Sequence, residues 1–165
     1  EIEVHVSEAL EDSLVDETVS GAITALCRSI EPGDYFSLNA FLPFTGEGRR
    51  EALEEIRHSI AERCRIPSCL EIGPRYLHST GQLHKGGRNN GVFLVLSADE
   101  PRDIEVENAK AQSLGELEKA QAMGDFSILS SRGRRCVYIH LPDNSSVTLR
   151  LLSKVLRNVV ARVTE

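Results

Sequence analysis

The sequence predicts a three-layer α/β/α fold built on a mostly parallel sheet of four to five strands. Apolar, strand-like runs alternate with helical patterns along the whole chain, and two of these runs, residues 35–42 and 91–98, are apolar enough for strands buried on both faces. The 165 residues, 41% of them hydrophobic, suffice for one domain with a real core. Residues 3–6 add a fifth strand if they pair at an edge of the sheet.

The first half of the chain predicts a helix, a strand, a second helix and a second strand, in that order. Apolar residues recur at helical spacing after the first few positions, which predicts one long helix over roughly residues 7–30. A Glu-Pro-Gly-Asp turn then leads into the strand at residues 35–42. Residues 49–63 predict an amphipathic helix, and residues 68–72 predict a short strand.

The second half continues the same alternation after the strand at residues 91–98. The spacing of apolar residues predicts a helix that starts at Ser113 and ends near Gly124. Residues 135–141 predict a strand, and residues 147–163 predict a last amphipathic helix with Asn144 or Ser145 as its N-cap. Parallel strands joined by right-handed crossovers place helices on both faces of the sheet.

Charge and composition exclude several classes of partner. Lys and Arg total 19 against 25 Asp and Glu, so the formal net charge of -6 repels a phosphate backbone and no nucleic-acid partner is expected. Aromatic residues make up only 5% and Trp is absent, which leaves no stacking platform for bases. Without an apolar run near the roughly 20 residues of a membrane span, and without a secretory leader, a cytoplasmic protein with no membrane partner is expected.

The four cysteines form neither a CxxC pair nor the paired knuckles of a zinc site: they are Cys27, Cys64, Cys69 and Cys136. Free thiols in a reducing compartment are therefore expected, and only Cys64 and Cys69 are close enough in sequence for a local bridge.

Several other polar residues are expected to have no role in a site. The arginines of one short stretch are expected to form a solvated turn: Arg132, Arg134 and Arg135. His58 is expected to be solvated on its helix, whereas His5 and His140 lie in strand-like stretches and are expected to be structural.

One polar segment, residues 73–87 (GPRYLHSTGQLHKGG), differs from the rest of the sequence. It is expected to be a loop that concentrates polar side chains between glycines, namely Arg75, His78, Ser79, Thr80, Gln82, His84 and Lys85. Lys, Arg and backbone amides satisfy phosphate oxygens while imidazole carries protons, so the composition suits a phosphorylated sugar. The position also suits a ligand, because open parallel sheets bind ligands beyond the carboxyl ends of their strands, here in the loops after Leu42, Ile72, Ala98 and Leu141.

Two other kinds of ligand are less compatible with this segment. His78 and His84 lie six residues apart without a neighbouring Cys, Asp or Glu, so they fall short of a metal-ligand set and no metal is expected. The glycines form neither a Walker loop nor a dinucleotide fingerprint, and the strand follows them instead of preceding them. No cofactor is expected.

The string at residues 73–87, together with the NNGVFL that starts at Asn89, resembles a known family. It is similar to the segment found in the phosphoglucose isomerase part of bifunctional transaldolase/glucose-6-phosphate isomerases, which have sugar-isomerase (SIS) folds. The resemblance is strongest over residues 73–96. It continues more loosely through residues 32–35, 117–125 and 133–135.

The resemblance implies an enzyme that interconverts glucose 6-phosphate and fructose 6-phosphate, a step of glycolysis and gluconeogenesis. His78 is similar to the histidine that helps to open the sugar ring in this family, and is the expected catalytic residue. The other polar residues of the segment are expected to contact the substrate: Arg75, Ser79, Gln82, His84 and Lys85. The family's isomerases pair two SIS subdomains, so this chain is expected to be the carboxyl-terminal SIS domain of a longer isomerase, working with the rest of that chain and as a possible homodimer.

The sequence also departs from the family's pattern. No glutamate lies in the sequence context of the family's catalytic base, and the family's Ser/Thr-rich phosphate loop is not found. In addition, Arg88 stands where relatives have proline, and Leu114 stands where an aromatic residue is expected. These departures favour an alternative function, a non-catalytic sugar-phosphate-binding or regulatory module with the same fold.

Overall fold

The computed structural model describes residues 1–43, 45–46, 48–105 and 113–163. Its sheet has five strands: β1 (Glu3–Val6), β2 (Tyr35–Phe41), β3 (Ser68–Ile72), β4 (Gly91–Ala98) and β5 (Arg135–Leu141). Their order across the sheet is β1-β5-β4-β2-β3. The four strands β2 to β5 are parallel, and β1 pairs antiparallel with β5. The predicted sheet is confirmed, with residues 3–6 as its fifth strand at an edge.

Helices cover both faces of the sheet, as the predicted three-layer fold requires. They are α1 (Glu8–Glu11), α2 (Val19–Arg28), α3 (Arg49–Cys64), α4 (Thr80–Gly86), α5 (Leu114–Ser131) and α6 (Ser146–Val163), with a 3-10 turn at Arg75–His78 before α4. No helix within the described ranges is long and apolar enough to cross a bilayer.

Alternate side chains of each strand point to opposite faces, which divides the core into two clusters. On the first face, aliphatic side chains such as Leu38, Leu94 and Val137 pack against α2, α3 and α6. On the second face, larger rings such as Phe93 and Tyr138 pack against α5 and the turn before α4. The first face is therefore a conventional apolar core, whereas the second also contains polar groups.

The long helix predicted over residues 7–30 is wrong, because the chain forms two helices there. A non-helical stretch between α1 and α2 ends at Thr18, whose backbone N–H donates to Asp16 Oδ1 at 3.0 Å. The Thr18 hydroxyl oxygen then accepts a hydrogen bond from the Gly21 N–H at 3.1 Å and caps α2. Such short side chains compete with the helical hydrogen bonds of the backbone, so apolar spacing alone does not keep the helix continuous.

The predicted end of a helix near Gly124 is also wrong, since α5 continues to Ser131. Gly124 is exposed, and a Cβ added there meets nothing within 4 Å, so the glycine marks no tight turn. Its cost within a helix is about 1 kcal/mol. Burial of Phe126 and Leu129 on the following turns outweighs that cost, because each buried apolar side chain contributes about 1.5–3 kcal/mol.

Residues 73–87, predicted as a loop, contain the 3-10 turn and α4. The glycines that suggest a loop are compatible with this compact structure. Gly81 is buried, and a Cβ there would lie 3.0 Å from the Tyr76 carbonyl oxygen, so the close packing of α4 on the preceding turn requires a residue without a side chain.

The solvated turn predicted at residues 132–135 is wrong for two of its three arginines. Arg134 is buried, and its guanidinium donates to the carbonyl oxygens of Lys85 and Gly87, at 3.0 and 2.7 Å. Arg135 donates to both carboxylate oxygens of Asp34, at 2.7 and 3.0 Å. The two side chains satisfy acceptors that are distant in sequence, so their burial depends on the tertiary fold.

The remaining structural predictions concern histidines, cysteines and a helix cap. Buried His140 bonds to Ser97 and Asp99 and is structural as predicted, whereas His58 is exposed.

The four cysteines are free, and a hydrogen bond with Cys64, together with burial, raises the pKa of Cys27. The free thiols agree with the sequence prediction, and the thiol that bonds with Cys64 is that of Cys27, which is distant in sequence. Between the two predicted N-caps of α6, Ser145 is the one whose hydroxyl oxygen accepts the Thr148 N–H.

Candidate functional site

Two adjoining clefts lie at the carboxyl ends of the parallel strands, where open sheets of this kind bind ligands. The first, the β2–β4 cleft, has a volume of about 370 Å³ and is lined by residues that follow three strands, among them Pro43, Pro74 and Glu100. The second, the β4–β5 cleft, has a volume of about 790 Å³ and extends from Glu100 to the start of α6. Together, the two clefts are lined by residues from all four loops at which the sequence predicts ligand binding.

The β2–β4 cleft is lined mostly by apolar groups but contains three carboxylates, Glu100, Asp103 and Glu118. Burial, followed by the charges of Glu100 and Asp103, raises the pKa of Glu118, which lies on α5. A carboxyl group with a raised pKa suits proton transfer near neutral pH, and its neighbours can accept hydrogen bonds from sugar hydroxyls. Sequence analysis did not identify Glu118 because only the fold brings α5 beside the loop after β4.

The β4–β5 cleft combines cations with the first turn of α6. Arg49 and Arg102 line it, and Arg49 Nε donates to the Asn144 carbonyl oxygen at 3.0 Å. The hydroxyl of Ser145 caps α6, and the Thr148 hydroxyl donates to Asp143 at 2.9 Å. Both hydroxyls thus already have partners within the chain.

The predicted catalytic residue, His78, lies at the end of the 3-10 turn that follows β3. It is exposed, as are the predicted substrate-binding residues Arg75, Ser79 and Gln82. None of these four residues lines either of the two clefts as the described residues define them. The segment therefore forms a polar surface beside the clefts.

The other two predicted substrate-binding residues are not exposed: Lys85 is half-buried and His84 is buried. Lys85 Nζ lies 2.5 Å from Asp125 Oδ1, a charge contact outside hydrogen-bond geometry. The Tyr76 hydroxyl donates to the other oxygen of this buried carboxylate. Tyr76, Lys85 and Asp125 thus fasten the turn and α4 to α5, and hold the segment that carries His78.

His84 is 3% exposed and lies among aromatic rings, with its ring centroid 5.0 Å from that of Phe93 and 5.9 Å from that of Tyr35. Burial lowers the pKa of His84 and favours the neutral imidazole. Its Nδ1 has no hydrogen-bond partner among the described residues. A buried polar atom left unpaired costs about 1–3 kcal/mol, so this nitrogen needs an explanation.

The sequence-based argument against a metal site does not hold once the chain is folded. His84 has no neighbouring Cys, Asp or Glu in sequence, but the fold brings it close to Cys69 and Glu71 of β3. One ligand atom from each of Cys69, Glu71 and His84 lies within 4.8 Å of the other two. His78, the other half of the histidine pair considered from the sequence, is not in this group.

Comparison with known proteins shows the fold. Neither a family model nor a curated protein sequence matches the chain. Among solved structures, the chain is similar to the crystal structure of the hypothetical protein TT0462 from Thermus thermophilus, with a TM-score of 0.68 and 15% sequence identity. The match covers 93% of this chain and 41% of that chain, so this chain spans about two-fifths of its length. At this identity the likeness is one of three-layer α/β/α architecture alone.

Proposed function

We propose that this chain contributes the ring-opening part of an aldose-ketose isomerase that interconverts glucose 6-phosphate and fructose 6-phosphate. The observation that carries the proposal is the exposed His78 beside Ser79, just beyond the carboxyl end of a parallel strand. The resemblance of residues 73–96 to the isomerase segment supports the same assignment.

Ring opening breaks the bond between the anomeric carbon and the ring oxygen. The anomeric hydroxyl loses a proton as the carbonyl forms, and the ring oxygen gains one. Imidazole, with an ordinary pKa of about 6.5, can perform either transfer near neutral pH, and His78 is the exposed imidazole in this segment. The later proton transfer between C1 and C2, through an enediol, requires a carboxylate base in addition.

A complete site on this proposal needs a second surface opposite His78. The polar segment is exposed, whereas an isomerase excludes bulk water from its enediol. The chain also spans about two-fifths of the solved structure to which its fold is similar. We assign the closing surface to the rest of a longer isomerase chain or to a second copy of this one.

The second candidate function is a sugar-phosphate-binding or regulatory module without catalysis. The observation that favours it is the position of His78 relative to the clefts: Glu118, the carboxyl group with a raised pKa, lines the β2–β4 cleft, whereas His78 lines neither cleft as the described residues define them. The histidine and this carboxyl group are therefore not gathered around one ligand position within this chain.

A coupled dehydrogenase assay with fructose 6-phosphate tests the proposal, with calorimetry on the same samples. His78→Ala should lower kcat by at least about 100-fold, the usual contribution of a general acid or base, while His58→Ala, which changes an exposed histidine on α3, should leave kcat unchanged. Equal and measurable turnover in wild type and His78→Ala would overturn the assignment. Heat of binding without turnover in the wild type would favour the second candidate.

A further inference from the structure

The open edge of the sheet gathers three side chains of metal-binding type. Cys69 and Glu71 are two residues apart on β3, so both side chains lie on the second face of the sheet. His84 comes from α4, which covers this face. Their ligand atoms all lie within 4.8 Å of one another.

One buried polar atom of this cluster has no partner in the part of the chain that the structure describes. His84 is 3% exposed, yet its Nδ1 has no hydrogen-bond partner among the described residues. The Cys69 thiol donates to Ser37 Oγ at 3.3 Å in the chain alone and would release its proton to solvent when a cation binds the sulfur; the thiolate and the Glu71 carboxylate would then balance a divalent charge. A neutral buried imidazole is also the form of histidine that coordinates metals.

We propose that Cys69, Glu71 and His84 bind a divalent cation of the zinc class. One sulfur, one carboxylate oxygen and one imidazole nitrogen suit zinc or cobalt, whereas calcium and magnesium prefer oxygen ligands alone. Three protein ligands leave the fourth tetrahedral position open to water or to a ligand oxygen. Metal-ligand bonds of about 2.0–2.3 Å set tetrahedral ligand atoms roughly 3.5 Å apart. Because the three ligand atoms lie within 4.8 Å of one another, each pair has to approach by no more than about 1.3 Å on binding.

The surroundings support such a site. Ser37 is fully buried on β2, where its hydroxyl donates to Asn39 Oδ1 at 2.6 Å and accepts a hydrogen bond from the Cys69 thiol at 3.3 Å. A hydroxyl at this distance can turn its proton toward a metal-bound thiolate, the kind of outer contact that orients a ligand. Because β3 is the edge strand and Cys69 and Glu71 are half-buried, an ion can reach the site from the side of the sheet.

The inference goes beyond the proposed isomerase function and does not depend on it. A bound cation would join β3 to α4, and would add a second contact, besides the one between Lys85 and Asp125, that holds the segment carrying His78.

Titration of the reduced chain with Co²⁺ tests the proposal, with absorption spectroscopy as the readout. The wild type should bind one equivalent and show a thiolate-to-cobalt charge-transfer band, which Zn²⁺ should abolish by competition. Cys69→Ser should remove the band, and Glu71→Gln and His84→Asn should each lower the affinity by at least about tenfold. The matched control is Cys64→Ser, which changes a half-buried thiol outside the cluster and should retain both band and affinity.

A second measurement covers variants that fold poorly. Zn²⁺ should raise the Tm of the wild type and of Cys64→Ser, and leave that of Cys69→Ser unchanged, because a cation that binds only the folded state stabilises it. Absence of both the band and the Tm rise in the wild type would overturn the proposal. So would binding that survives Cys69→Ser and is lost in Cys64→Ser.

Discussion

Replacement of Lys85 by Met removes the cation that faces a buried carboxylate while keeping most of the volume of the side chain. Lys85 Nζ lies 2.5 Å from Asp125 Oδ1, and the Asp125 side chain is 1% exposed. In the Lys85→Met variant, Asp125 keeps the hydrogen bond from Tyr76 but loses its opposite charge. We expect the folded state to be destabilised.

The magnitude follows from the burial of the two partners. Removal of one partner of a fully buried ion pair costs about 3–5 kcal/mol. Lys85 is 23% exposed, so water screens part of its charge, and the Tyr76 hydroxyl still solvates the carboxylate. We therefore expect a loss of about 2 kcal/mol, which lowers the Tm of a domain of this size by roughly 4–8 °C.

Urea unfolding followed by circular dichroism measures this loss. Lys154→Met, at an exposed position on α6, is the matched control and should change stability by less than about 0.5 kcal/mol. Adding Asp125→Asn to Lys85→Met should restore most of the loss, because no unpaired charge then remains buried. Wild-type stability in Lys85→Met, accompanied by a raised KM for fructose 6-phosphate, would refute the reasoning and favour a substrate-binding role for Lys85.

Three further predictions concern stability and are measured by urea unfolding. Burial raises the pKa of Asp34, but the hydrogen bonds from Arg135 and from the Glu31 N–H, together with the charge of Arg135, outweigh burial, so the net pKa is lowered. The stability that Asp34 contributes is thus present above the ordinary carboxyl pKa of about 4 and is lost as the pH falls through the lowered value, so the stabilities of wild type and Asp34→Asn should converge in acid. Ser145→Ala removes the cap of α6 and should cost about 1 kcal/mol; no loss would contradict the capping role. Leu94→Ala, in the centre of β4, should cost about 2–5 kcal/mol, and a loss below about 1 kcal/mol would contradict its placement in the core.

The sequence predicts the strands well because a parallel sheet covered on both faces requires continuous apolar runs. The ranges predicted for β3, β4 and β5 agree with the structure, and that for β2 is one residue longer. The helices are predicted less well, because their ends depend on competing interactions. The hydrogen bonds of Asp16 and Thr18 interrupt one predicted helix, whereas burial of Phe126 carries another past its glycine.

The candidate site is predicted as a segment but not as an arrangement in space. The composition of residues 73–87 indicates where polar groups concentrate, and most of them are exposed as a ligand would require. The contact of Lys85 with Asp125, and of His84 with Cys69 and Glu71, depends on which elements the topology brings together. Spacing along the chain contains no signal for either.

The pairing of the first strand with the fifth has a consequence for synthesis on the ribosome. Glu3 of β1 lies opposite His140 of β5, so β1 emerges long before its neighbour in the sheet exists. The helix α6, which follows β5, packs against both α2 and α3 and completes their layer. Folding of the nascent chain therefore cannot finish until the last described residues have emerged, and its early apolar segments lack their final partners in the interval.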